Sequence, residues 1–231
     1  MGKPDPGASD PNGDAITPES LAALPIFPLP NCVLLPGGLL PLHVFEPRYR
    51  ALTRDALAGD RLMAIARLKP GHEAEYFDRP PIHEHAGLGR ILCADELPDG
   101  RFHILLRGVG RLSISSELPA ERQYRRVSAR LLEDRVSGRP ERVRSAHLQL
   151  CMLCDRLADV LDEGGAQLRE LIKAQTCAAA CADVLTAALV QDPDDRQLLL
   201  ETLDPADRLD RAIAHVARVL CELAPCTGAP N

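Results

Sequence analysis

The sequence predicts an α+β fold: a β-rich half with one inserted helix, followed by a helical half. Three observations carry that expectation. Between Leu24 and Asp134 the apolar residues come in short runs that alternate or are cut by proline. After Ser137-Gly138 the spacing lengthens to about 3.6 residues, with Val143, Ala146, Leu150, Leu153, Leu157 and Val160 three and four apart. With 231 residues, 45% of them hydrophobic, the chain suffices for one domain of ordinary to large size or a domain with an annex. A multidomain machine is excluded.

The first 22 residues, MGKPDPGASDPNGDAITPESLA, are rich in Pro, Gly, Asp and Ser and read as a disordered leader (1–22). A β-rich subdomain is expected over 23–134. It opens with LPIFPLPNCVLLPGGLLPLHVF, where Pro28, Pro30, Pro36 and Pro41 cut the apolar pieces into short, bent or edge strands. Glu46, Pro47 and RYRALTRDALAG then describe a helix. Proline suits its first position, Glu46 its N-terminus and Gly59 its end, with Tyr49, Leu52, Ala56 and Leu57 inward. Leu62 to Leu68 is a buried strand, followed by a polar loop from Lys69 to Pro81. GLGRILCADEL and RFHILLRGVGRLSISS flank Pro98-Asp99-Gly100, a hairpin turn, and Gly108 and Gly110 mark a bulge or bend. YRRVSARLLE is the last strand, alternating Val127, Ala129 and Leu131.

The helical subdomain is expected over 139–223, with a flexible tail at 224–231. Its first long helix stops at Gly164-Gly165. Asp192-Pro193 and Asp204-Pro205 each set a capping acid before a first-turn proline, so a helix starts at each. The last helix aligns Leu209, Ile213, Val216 and Leu220.

Composition narrows the function classes. The net charge is -6, only 3% of residues are aromatic and there is no Trp, which argues against a base-stacking or phosphate-binding nucleic-acid reader. Basic residues are 24 Arg against three Lys (Lys3, Lys69, Lys173), so no lysine-rich patch exists. Eight cysteines are too dilute for a small secreted disulfide scaffold, and no apolar signal run follows the N-terminus, so a reduced, cytoplasmic setting is expected. No apolar run reaches the roughly 20 residues of a membrane span.

Leu24 to Leu52, LPIFPLPNCVLLPGGLLPLHVFEPRYRAL, resembles the opening of the Lon N-terminal substrate-binding domain, especially its stand-alone bacterial form. The likeness extends through GLGRI (87–91), through LPDGRFHILLRGVGRLSI with its G-x-x-R segment (97–114), and through RQLLLETLDPADRLDRAI (196–213). It implies a PUA-like pseudobarrel β domain with one inserted helix and a C-terminal helical bundle. The implied role is non-catalytic recognition of unfolded or extended polypeptide, with a protease or ATPase as partner and no cofactor. A G-x-x-x-x-G-K-[ST] loop and a Ser-Lys setting are missing, so ATP hydrolysis and proteolysis are not expected to carry over. The alternative is a small-molecule or RNA binder, because PUA-like folds also host RNA recognition, although the negative charge and few aromatics count against RNA.

His43, Phe45, Glu46, Arg48 and Tyr49 are the chemically densest part of the signature. They suit a polar rim beside an apolar strand, able to hold a peptide backbone. A structural role fits them as well, with Glu46 capping the helix and pairing with an Arg, Arg48 tying helix to sheet and Tyr49 in the core. His72, Glu73, Glu75, His83, Glu84 and His85 cluster around one loop, and His83 and His85 share a strand face. That string lacks the H-E-x-x-H spacing of a zinc helix, so no metal is expected there. Cys151 and Cys154, with Cys177 and Cys181, have C-x-x-C and C-x-x-x-C spacings. They lie in an apolar helix seam, where cysteine serves as a small hydrophobe.

Overall fold

A short helix, α1 (Pro18–Ala22), opens the part of the chain that the computed structural model describes, residues 15–72 and 79–223. This corrects the reading of residues 1–22 as one disordered leader. Thr17 caps the helix by accepting from the Ser20 N–H at 3.2 Å, and Pro18 takes its first position. Ile16 and Leu21 are buried, so this stretch does have apolar groups to place. Residues 1–14, 73–78 and 224–231, on which part of the expected leader, part of the expected polar loop and the expected flexible tail fall, lie outside the described residues.

Six strands follow the expected order: β1 (Leu24–Leu29), β2 (Leu39–Val44), β3 (Leu62–Arg67), β4 (His85–Glu96), β5 (Phe102–Glu117) and β6 (Arg126–Leu132), with helix α2 (Pro47–Ala58) between β2 and β3. They form one sheet in the order β2-β5-β4-β3-β1-β6, and β6 pairs again with β5. The pairings β1–β3, β3–β4, β4–β5, β5–β6 and β6–β1 therefore close a ring. Among the described residues β2 pairs with β5 alone. That ring is compatible with the pseudobarrel the resemblance implies.

β5 makes this arrangement possible by dividing one of its edges between two partners. Residues 102–107 pair with β2 and residues 111–117 with β6. Gly108 lies between, giving its N–H to the Gly38 carbonyl and accepting from the Gly37 N–H, both at 2.8 Å. A Cβ on Gly108 would stand 2.1 Å from the Leu35 carbonyl oxygen, so only glycine lets the segment before β2 cross here. On its other edge β5 carries Val109 as an extra residue against Leu88 and Gly89 of β4, the bulge that Gly108 and Gly110 announce.

Both faces of the sheet are covered. In β3, Met63 and Ile65 join the core under α2 with Phe27, Tyr49, Leu52 and Phe102. Leu62, Ala64 and Ala66 point into a second core with Leu24, Ile26, Leu88, Leu112 and Val127. Two covered faces explain why β3 reads as a continuous apolar run instead of an alternation.

The helical half comprises α3 (Pro140–Val160), α4 (Gly165–Lys173), α5 (Ala178–Leu189), α6 (Pro193–Glu201) and α7 (Pro205–Leu223). α3, α5 and α7 pack around Leu150, Cys154, Leu157, Cys181, Leu185, Leu209 and Val216. Both expected acid-proline starts cap their helices. Asp192 accepts from the N–H groups of Asp194 and Asp195 at 2.9 Å, and Asp204 accepts from Ala206 at 2.8 Å.

A buried ionic network joins the halves. Arg111 of β5 donates to both carboxylate oxygens of Asp183 on α5, at 2.9 and 2.6 Å, and to the Leu200 carbonyl at 3.2 Å. Arg208 of α7 meets the same carboxylate through Nε at 2.9 Å. It also grips Asp134, just past β6, with both Nη groups at 2.7 and 2.9 Å. Arg111, Asp183 and Arg208 are all buried.

Two stability predictions follow from these contacts. Asp183→Ala leaves two guanidinium groups facing each other without their shared counter-charge and lowers unfolding free energy by about 3–5 kcal/mol, read by urea titration. The Asp204 carboxyl is held below the usual aspartate value, first by the Ser137 hydroxyl that donates to it. Its folded pKa is depressed, so its contribution is present above the unfolded value of about 3.9 and is lost as pH falls below that value. Thermal melts across that window show Asp204→Asn losing less stability on acidification than the parent.

Candidate functional site

β2 presents two different sides. Leu40, Leu42 and Val44 turn inward, while Leu39, Pro41 and His43 face out. Pro41 cannot donate to a ladder, so the backbone groups of this outward set belong on the edge away from β5. Among the described residues the strand thus has one edge paired with β5 and one open, flanked by exposed apolar side chains. Leu39 is 61% exposed and Phe45, just past the strand, 59%.

The register extends this outer face across the sheet. Pro41 lies opposite Leu105 and His43 opposite His103, while Cys93 and Asp95 of β4 continue the rows. The His43 and His103 rings meet edge-on with centroids 4.9 Å apart, and His43 and Phe45 are 5.9 Å apart. Arg101 Nη1 lies 3.3 Å from His43 Nε2 and is held by Asp99, which Arg101 Nε contacts at 2.6 Å. The Asp99 carboxyl is lowered first by the Arg101 backbone N–H.

The five candidate residues divide between two environments. His43 and Phe45 belong to this outer face. Tyr49 is buried and stacks on Phe27 with ring centroids 3.9 Å apart. Glu46 occupies the N-cap position of α2, but its side chain makes no capping bond and instead accepts from Arg48 Nε at 2.9 Å. The Arg48 guanidinium lies over the Tyr49 ring, 4.6 Å from its centroid. Leu39, Pro41, Leu105, Arg101 and His103 complete the face; of these the sequence marks only Pro41, as a strand-cutting proline and not as a site residue. Only the pairing of β2 with β5 brings them together.

Where the start of α2 meets the segment before β6, a cleft of about 240 Å³ is lined by Arg48, Arg79, Arg122 and Arg125 with Tyr49 and Tyr124. Carboxylates already answer much of this charge. Arg48 pairs with Glu46, Arg122 with Asp55, and Arg79 and Arg125 share Glu117. Tyr124 donates to Asp55 at 2.6 Å, and burial first, then that carboxylate, pushes its hydroxyl up to about 12.

The loop histidines come apart. His83 Nδ1 lies 3.6 Å from Glu201, and the carbonyl of His85 accepts from Gln197 at 3.2 Å, so both serve the seating of α6. Glu73 and Glu75 lie outside the described residues. Cys154 and Cys181 are fully buried, and burial pushes both thiols up to about 12.

Comparison with known proteins agrees with this architecture. The family described as "ATP-dependent protease La (LON) substrate-binding domain" matches residues 23–218. Lon protease 2 of Myxococcus xanthus is 26% identical over 186 residues, covering 80% of this chain and 22% of the protease. The Lon protease of Roseiflexus castenholzii is 29% identical over 208 residues, covering 87% and 25%. The chain thus spans about a quarter of these relatives or less, and the family match covers only their substrate-binding domain. Among solved structures, a Lon N-terminal domain protein from Xanthomonas campestris superposes with a TM-score of 0.59 at 27% identity, covering 83% of this chain and 97% of that one. The N-terminal domain of the Mycobacterium avium complex Lon protease gives 0.64 at 22%, covering 84% and 98%, and shows the shared fold. No helix among the described residues is long and apolar enough to cross a membrane. With a family match that runs from the first strand into the last helix, this chain belongs to the Lon substrate-binding domain family.

Proposed function

We propose that this chain recognises extended or unfolded polypeptide through the open edge and outer face of β2, and performs no catalysis of its own. The observation that carries the reading is the β2 edge, unpaired among the described residues, beside the exposed Leu39, Pro41, His43 and Phe45. An extended ligand strand would bond the free backbone groups of β2 and lay alternate side chains on Leu39, Leu105 and the His43–His103–Phe45 aromatic group. Backbone bonding is blind to sequence, which suits unfolded ligands. Exposed apolar and aromatic groups add affinity without demanding one motif. In the relatives this domain is part of a longer protease, which supports a protease or ATPase partner for this chain. A second reading, a small anionic ligand, draws on the arginine-lined cleft, although the carboxylates already paired there weaken it.

Binding of a permanently unfolded, carboxymethylated model polypeptide separates these readings. Phe45→Ala weakens it about tenfold while changing stability by less than about 0.5 kcal/mol, because the ring is largely exposed. His43→Pro removes the open-edge N–H, spares the pairing with β5, and weakens binding more than His43→Ala does. Tyr49→Ala instead costs about 3–5 kcal/mol of stability, as a core residue should. Tight, salt-sensitive binding of RNA with no polypeptide binding would overturn the proposal.

A further inference from the structure

In the helical half, α3 and α5 bring a histidine and two cysteines together. His147 and Cys151 stand one turn apart on α3, Cys181 comes from α5, and one potential ligand atom from each lies within 4.8 Å of the others. Cys181 is buried, while His147 and Cys151 are partly accessible.

We propose that His147, Cys151 and Cys181 form a binding site for a thiophilic divalent metal ion, zinc by its donor set, with water in the fourth position. Zinc takes thiolate at about 2.3 Å and imidazole at about 2.0–2.1 Å, which places tetrahedral donors about 3.5–3.8 Å apart. A trio already within 4.8 Å needs side-chain movements of at most about 1.3 Å to reach that spacing. Two sulfurs and an imidazole, with no carboxylate, select against magnesium and calcium. The C-x-x-C spacing misdirects here, because Cys154 turns into the bundle core and the second thiol comes from another helix. A purely apolar role accounts for Cys154 but not for an imidazole set against two thiols. On binding, the two S–H bonds release their protons to solvent, the sulfurs bond to zinc as thiolates, and the ion sheds water. Partial access at His147 and Cys151 supplies both the entry path and the open fourth position.

The test uses the full chain, kept reduced under nitrogen and titrated with Co²⁺ as a spectroscopic probe, followed by Zn²⁺. The expected result is one Co²⁺ per chain with a thiolate-to-cobalt charge-transfer band and intense tetrahedral ligand-field bands, all abolished by Zn²⁺. Cys151→Ser and His147→Ala each weaken binding roughly a hundredfold, and Cys93→Ser leaves it unchanged. A folded parent chain without the charge-transfer band, or an unaltered spectrum in Cys151→Ser, would overturn the proposal. On the parent chain alone, Zn²⁺ protects the partly accessible Cys151 from iodoacetamide, mapped by mass spectrometry. Equal alkylation with and without Zn²⁺ also overturns it.

Discussion

One carboxylate, Asp183, decides how the two halves of this protein meet. It stands between Arg111 from the sheet and Arg208 from the last helix, and Arg208 reaches on to Asp134 at the exit of β6. Four charged side chains from four parts of the chain therefore agree on a single arrangement. A buried ion pair adds little net stability, because desolvating its charges offsets most of their attraction. What it adds here is geometry: any other docking of the bundle would bury guanidinium groups without partners. Both arginines lie in segments that carry the family resemblance, Arg111 closing the G-x-x-R segment and Arg208 in the last matched helical stretch. Those segments are accounted for by the joint between the halves, without assigning them ligand contacts.

The joint in turn constrains the sheet. Val33 and Leu35 pack with Val190, Leu199 and Leu200, so the segment before β2 is pinned between the sheet and the helices. That segment crosses β5 at Gly108, and a Cβ at Gly87 would likewise stand 2.1 Å from the Leu34 carbonyl oxygen. Crossing at this point delivers β2 to the first half of β5 and leaves the second half for β6. Arg67 on β3 adds a tie to α6, donating to Asp194 at 2.6 Å and to the Pro193 carbonyl at 3.1 Å. The open edge of β2 thus rests on a scaffold fixed from both sides.

Elements governed by local chemistry were legible in the sequence. The Pro98-Asp99-Gly100 turn, the bulge at Gly108 and Gly110, and the caps at Asp192 and Asp204 each depend on a few neighbouring residues. Thr17-Pro18 is the same kind of signal, overlooked because it lies in a polar, proline-rich stretch. Features that depend on distant pairing were not legible. Nothing local says that His43 faces His103, that Glu201 meets His83, or that Cys151 approaches Cys181 instead of serving a C-x-x-C motif. Of the five signature residues, helical spacing placed Tyr49 inward, but nothing local decided whether the others form a rim or serve the fold. Strand alternation puts His43 outside, whereas Tyr49 is taken inward by its helical position and its stack on Phe27.

The division at Glu46 has a physical origin. Pro47 starts α2 and turns the chain from the edge strand back over the sheet, so residues on either side of it enter different environments. Arg48 and Glu46 close over Tyr49 and shield the stack beneath, which lets Phe45 project from a rigid base without disturbing the core. An exposed phenylalanine on a mobile segment would collapse onto the nearest apolar surface. Held between a paired strand and a proline-started helix, it remains presented to solvent beside an open strand edge. Exposed edges and apolar groups favour unwanted association, and β2 shows two restraints: it is only six residues long, and Pro41 removes one donor from its open side. An edge kept short and interrupted by proline, yet flanked by exposed Leu39 and Phe45, is suited to brief, sequence-tolerant contact with an extended chain more than to a permanent interface.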